Sequence, residues 1–138
     1  MPHSPSIIPC LRYPDPEAAL RFLKDAFGFV EKMVARGEDG GIIHAELTHG
    51  EGERRGMLMV SGTGRQFFDM RLPSEAGGVT DCIYVIVADP DAHCAKARAA
   101  GAEILEGPLD REYGSREYVA RDIGGYLWDF GTYDPWKT

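Results

Sequence analysis

The segment "SIIPCLRYPDPEAALRFLKDAFG", Ser6 to Gly28, passes from a β-prone stretch through Pro-Asp-Pro into a helical pattern that stops at glycine. Proline at an early helical position gives up no needed N–H, so Pro14 to Pro16 mark a helix start. Ala19, Leu20, Leu23, Ala26 and Phe27 then recur at helical spacing, and Gly28 is a good C-terminal stop. The same order returns in "VTDCIYVIVADPDAHCAKARAAG", Val79 to Gly101, where Pro90 opens an alanine-rich helix and Gly101 closes it.

Each copy is followed by three strand-like runs. After the first come "FVEKMVAR", "GIIHAELTH" and "GMLMVSG", parted by the turn formers "GEDGG" and "GEGERRG". After the second come "EILEGPLD", "REYVARD" and "GYLWDFGTY". The chain is therefore read as an internal repeat of α+β class, with βαβββ modules at 5–62 and 79–133 inside one domain spanning 1–138. Between them, loop 63–78, "TGRQFFDMRLPSEAGG", is too long for a tight turn. It reads equally as a linker or as a binding loop in which Phe67 and Phe68 cap a ligand or pack at an interface.

Composition narrows the partners. A chain of 138 residues with 43% hydrophobic content can bury a globular core. A formal net charge of -7, with both signs mixed along the chain, disfavours nucleic-acid phosphate and anionic membrane surfaces. No apolar run approaches the roughly 18 to 20 residues of a membrane-spanning helix, and "MPHSPSIIPC" lacks the pattern of a secretory leader. Three cysteines, Cys10, Cys82 and Cys94, form no CxxC pair and fit a reducing compartment. The expectation is a cytoplasmic protein with a small-molecule or protein partner.

Strand alternation sorts the candidate site residues by face. His44 and Glu46 share one face of "GIIHAELTH", either as polar lining of a cavity, as ligands, or at a solvated edge. In "VTDCIYVIVAD", Tyr84 shares a face with Cys82 and Ile86. Arg116 and Tyr118 share a face of "REYVARD"; with Tyr113 they are read as possible cavity lining, where arginine suits a carboxylate or phosphonate and tyrosines stack or hydrogen-bond. The alternative for Arg116 is a surface ion pair. In "GYLWDFGTY", Leu127 and Asp129 oppose Tyr126, Trp128 and Phe130, which makes Trp128 core if Asp129 faces a cavity. His49, in a turn region, and His93, in the second helix, are read as surface residues, and His3 as part of a mobile terminus.

The helix start "YPDPEAALRFLKDAFGF", the strand "HAEL", the passage "VADPDAHCAKARAAGAEI" and the ending "YGSREYVARDIGGYLWDFGTY" together resemble the vicinal oxygen chelate superfamily, in its glyoxalase and bleomycin-resistance-like branch. The resemblance implies two βαβββ modules that curl curved mixed sheets around a cavity, helices outside, and a homodimer. Metal-dependent members hold a divalent ion with His, Gln or Glu from four equivalent strands. The matching positions here read Ile8 or Pro9, Glu46, Cys82 and Asp129, which leaves two ordinary oxygen ligands and a broken set.

Two function classes follow. One is a small-molecule-binding protein that holds an organic ligand in a cavity without a family-type metal site, its polar anchors drawn from His44, Glu46, Tyr84, Tyr113, Arg116, Tyr118 and Asp129. The other is a lyase, isomerase or dioxygenase in which Glu46, with His44 and Asp129, holds a divalent metal such as Zn, Ni, Fe or Mn, or acts as general base beside a carbonyl. No nucleophile, base and orienting group is legible as a set, so a hydrolase gains no support.

Overall fold

The computed structural model describes residues 4–137, so His3 lies outside the described residues. The chain divides between Leu72 and Pro73 into two compact units. In the first, β1 (Cys10–Arg12), helix α1 (Pro16–Phe27), β2 (Val30–Arg36), β3 (Ile42–His49) and β4 (Gly56–Ser61) follow in order, with a 3-10 turn at Gly52–Arg54. The four strands make one mixed sheet in the order β1-β4-β3-β2, with β1 parallel to β4 and the other pairs antiparallel. The second unit repeats this. A short helix α2 (Pro73–Ala76) precedes β5 (Ile83–Ile86), α3 (Pro90–Ala99), β6 (Glu103–Asp110), β7 (Arg116–Arg121) and β8 (Leu127–Gly131), and the sheet runs β5-β8-β7-β6. Two four-stranded mixed sheets with few helices give the α+β class and the two βαβββ modules read from the repeat.

The repeated Asp-Pro signal works the same way twice. Asp15 accepts the N–H of Ala18 at 3.1 Å and Asp89 that of Ala92 at 3.0 Å, so each carboxylate satisfies an orphan donor of the first turn. Gly28 then takes the left-handed conformation (φ 83) that lets its N–H return to Lys24 O. The first strands are shorter than the β-prone runs. Pro9 cannot donate to a ladder, although its carbonyl still accepts the Met59 N–H at 3.0 Å, and regular pairing begins only at Cys10.

Burial defines two faces for each sheet. In the first unit Leu11, Ala45, Leu47, Leu58 and Val60 are buried together with the α1 face of Ala19, Leu20, Leu23, Ala26 and Phe27. In the second, Tyr118, Ala120, Trp128 and Phe130 are fully buried. Tyr118 stacks on Phe130 at 5.0 Å, and His93 of α3 lies 4.4 Å from the Phe130 ring, which puts this face under the helix. Trp128 is core, and its indole N–H donates to the buried Asp122 at 2.9 Å. Asp122 also accepts the N–H groups of Gly124 and Tyr126, so one carboxylate ties the β7–β8 turn to the core.

Two histidines depart from the surface role read in the sequence. His49 ends β3, with Nε2 2.9 Å from the Phe27 carbonyl oxygen, satisfying an acceptor in the last turn of α1. His93 sits 2.5 Å from the Tyr118 hydroxyl and bridges α3 to the sheet. Among the described residues no helix is long and apolar enough to cross a membrane.

Candidate functional site

In the first unit, residues directly opposite across the ladders share a face, so the register assembles the site row by row. One row is Cys10, Met59 and Glu46; the next is Arg12, Ser61 and His44. This face is opposite the α1 side and forms a cleft of about 620 Å³. Its floor comes from Cys10, Arg12, His44, Met59 and Ser61, one wall from Ile42 and Ile43, and its rim from Arg65, Phe67 and Met70 of the segment after β4. The walls are mostly apolar, with a few polar groups set among them, the pattern of small-molecule sites.

Several contacts fix this segment. Arg12, buried at 7% exposure, donates from Nη2 to the Arg65 carbonyl oxygen at 2.9 Å. The Gln66 amide donates to the carbonyl oxygens of Phe68 (2.6 Å) and Met70 (3.1 Å), folding the tip on itself. Phe68 takes a positive φ of 53, and its ring meets Phe67 edge-on at 4.9 Å. The result leaves both rings exposed, with Phe67 at the cleft.

His44 and Glu46 are neighbours as their shared face requires: Nε2 of His44 lies 3.1 Å from Oε2 of Glu46, and Lys32 Nζ lies 3.9 Å from Oε1. His44 lines the cleft, while Glu46 sits one row further along β3, outside the lining residues. A cation at Glu46 would have to share its carboxylate with the Lys32 ammonium.

The corresponding face of the second unit carries a denser polar cluster. Glu117, only 2% exposed, accepts from Tyr113 Oη at 2.8 Å and from Arg111 Nε at 3.2 Å, and Ser115 bonds to it as well. Burial pushes the Glu117 carboxyl up, but these three donors outweigh it and hold the carboxyl below its ordinary value. Asp129 lies beside it with the opposite balance. Burial above all, then the Glu117 charge and a shared hydrogen bond, raise its carboxyl from 3.8 to about 6, partly offset by Arg111. Its Oδ1 is buried with no hydrogen-bond partner among the described residues. Tyr84 joins the cluster from β5, directly opposite Asp129, and donates to the Tyr133 carbonyl oxygen at 2.8 Å. Burial raises its phenol to about 12, so it stays a neutral donor. Burial, with Asp129 nearby, also raises the Cys82 thiol.

The cluster closes over Gly131. A Cβ there would fall 2.5 Å from Glu117 Cγ and 2.7 Å from Tyr84 Oη, so only glycine leaves room for the carboxylate and the phenol to converge.

Of the seven sequence-derived residues, Tyr84, Tyr113 and Asp129 come together here, and His44 and Glu46 come together in the first unit. Arg116 and Tyr118 do not join either group, which corrects their reading as cavity lining. Tyr118 is fully buried under α3 against His93 and Phe130. Arg116 shares its face and makes a two-pronged ion pair with Asp91 of α3 (2.6 and 2.9 Å) and another with Asp110 (3.1 Å). It is the surface pair that the sequence left open, and these partners raise its already high pKa.

The donors present set what a family-type divalent ion could meet here. Among the described residues no three His, Cys, Asp or Glu side chains gather in a metal-holding group. The available pairs are His44 with Glu46 and Asp129 with Glu117, the first crowded by Lys32 and the second by Arg111. Each pair thus offers two donors with a cation beside them.

Residues 8–130 match the Glyoxalase/Bleomycin resistance protein/Dioxygenase superfamily, and the chain belongs to this family. Among its relatives, an uncharacterized protein of Mycobacterium bovis is 31% identical over 130 residues, covering 92% of this chain and 82% of the relative. An uncharacterized protein of Mycobacterium tuberculosis is also 31% identical, with 92% and 74% covered. The crystal structure of TioX from Micromonospora sp. ML1 superimposes with a TM-score of 0.69 at 34% identity, covering 92% of this chain and 94% of TioX. A glyoxalase/bleomycin resistance protein/dioxygenase from Nocardioides shares the fold with a TM-score of 0.62 at 21% identity, covering 95% and 84%.

Proposed function

We propose that the protein binds a small organic molecule in the cleft of the first unit and does so without a family-type metal site. The observation that carries this reading is the cleft itself: about 620 Å³, mostly apolar walls, and a few polar groups, Arg12, Asp39, His44, Ser61 and Arg65, set among them. That volume lies within the roughly 300–1,000 Å³ of small-molecule sites. The broken set at the family's metal positions supports the second half of the proposal. A homodimer in the cytoplasm is the setting we assign to it; the odd number of cysteines without a CxxC pair supports the compartment.

A divalent-metal lyase, isomerase or dioxygenase is the competing reading, favoured by Glu46 at a family ligand position with His44 3.1 Å away. Metal analysis separates the two. The purified protein is incubated with zinc, nickel, iron and manganese, desalted and assayed for bound metal beside Glu46→Gln. Substoichiometric metal in both supports the binding protein. Stoichiometric metal that disappears in Glu46→Gln establishes the metal site and overturns that half of the proposal. Met59→Trp, which fills the cleft floor, should abolish ligand binding.

A further inference from the structure

We propose that the ligand of this cleft is an organic anion, an apolar or aromatic body bearing a carboxylate, sulfonate or phosphate, with Arg65 as its anchor. The inference rests on the cleft being the binding site and adds the chemical class of what enters it.

Charge is the first ground. The whole chain carries 22 acidic against 15 basic residues, yet the charged residues lining the cleft are two arginines, Arg12 and Arg65, against one aspartate, Asp39. Asp39 is committed to the β2–β3 turn, where its Oδ1 accepts the Gly41 N–H at 2.9 Å. The local balance is thus inverted relative to the protein as a whole. A net charge of -7 repels anions at long range, so an anion is chosen here by contact rather than by the overall field.

The second ground is how the two arginines are used. Arg12 is spent on structure, since its guanidinium holds the Arg65 carbonyl oxygen at 2.9 Å and so fixes where residue 65 stands. The Arg65 side chain is exposed at the cleft rim and enters no ion pair or side-chain hydrogen bond among the described residues. A planar guanidinium held at its backbone is suited to a two-oxygen anionic head. Arg12 is therefore a positioning residue, and Arg65 is the contact.

The third ground is the roof. Phe67 lines the cleft at 58% exposure, an aromatic surface left open on the same segment as the guanidinium. Ile42 and Met59 face the cleft from the sheet. A body held between these side chains places its head at Arg65. The exposed ring of Phe67 is thereby explained as a ligand contact rather than as incidental surface.

A matched pair of fluorescent probes tests this. 1-Anilinonaphthalene-8-sulfonate and N-phenyl-1-naphthylamine share one aromatic body and differ by the sulfonate. The wild-type protein should bind the sulfonate at least about tenfold more tightly, a preference that weakens as salt is raised. Arg65→Gln should reduce the ratio to about one while leaving the neutral probe's affinity unchanged. Phe67→Ala should weaken both probes. Both residues are exposed, so neither substitution threatens the fold. Equal affinity for the two probes in the wild type, or a preference that survives Arg65→Gln, overturns the anion inference and leaves the cleft reading standing. Failure of both probes to bind overturns the cleft reading, and the inference with it.

Discussion

Replacing Asp129 by asparagine should remove a pH dependence of stability that the second unit builds in. In the folded chain burial, and then the Glu117 charge beside it, push the Asp129 carboxyl up from 3.8 to about 6. The folded state therefore keeps this proton over a pH range in which the unfolded state has released it. Stability should fall as pH rises from about 4 to about 6 and level off above, which is the sign for a raised carboxyl. A shift of about two units corresponds to about 3 kcal/mol at most. Partial exposure and solvent screening reduce this to about 1 kcal/mol. Glu117 acts in the opposite sense, but its carboxyl lies below the ordinary range, so its contribution is lost only in stronger acid. In Asp129→Asn the amide donates to Glu117 as the protonated acid does and carries no charge at any pH. The variant should match the wild type at about pH 4.5 and exceed it by about 1 kcal/mol at about pH 7.5. Urea denaturation followed by tryptophan fluorescence reports this, since Trp128 is buried on the adjacent strand position. Wild-type stability that rises between about pH 4.5 and 6.5, or a variant less stable at about pH 7.5, refutes the shared-proton account.

Gly131→Ala should destabilise the protein by about 1 to 3 kcal/mol, read as a lowered thermal midpoint, because the new methyl meets Glu117 Cγ and Tyr84 Oη well inside contact distance. Tyr118→Phe should cost about 1 kcal/mol in denaturant titration through loss of the hydrogen bond with His93, without altering probe binding, because this face lies under α3. Asp15→Ala should cost about 1 kcal/mol by uncapping α1, measured the same way.

The repeat was legible because its signals are local. Asp-Pro at each helix start, glycine at Gly28 and Gly101, and the alternation of the strands act over a few residues and do not depend on what packs against them. The pairing of His44 with Glu46 followed from the same period of two. What alternation cannot supply is which face turns toward the helix. On β7 both Glu117 and Tyr118 are nearly inaccessible, so a strand with a charged and an aromatic residue in succession gives no cue, and the sequence cannot tell that Tyr118 lies under the helix or choose between cavity lining and a surface ion pair for Arg116. Glu117 carries no sequence signal of a site because a glutamate in a strand usually means solvent; its burial depends on Arg111, Tyr113 and Ser115, which reach it across a turn. Cys10, Arg12 and Met59 were missed as cleft residues for a topological reason. β1 and β4 are separated by most of the unit and are brought together only by parallel pairing, which no local pattern announces. Arg65 lay in a segment whose course is set by that same Arg12.

The central claim is that the first unit's cleft receives a small organic ligand. Amide chemical-shift mapping with 1-anilinonaphthalene-8-sulfonate tests it most directly. The account predicts saturable shifts concentrated at Arg12, Ile42 to His44, Met59 to Ser61 and Arg65 to Met70, lost in Met59→Trp. Shifts confined to other surfaces, or unchanged in that variant, would contradict it.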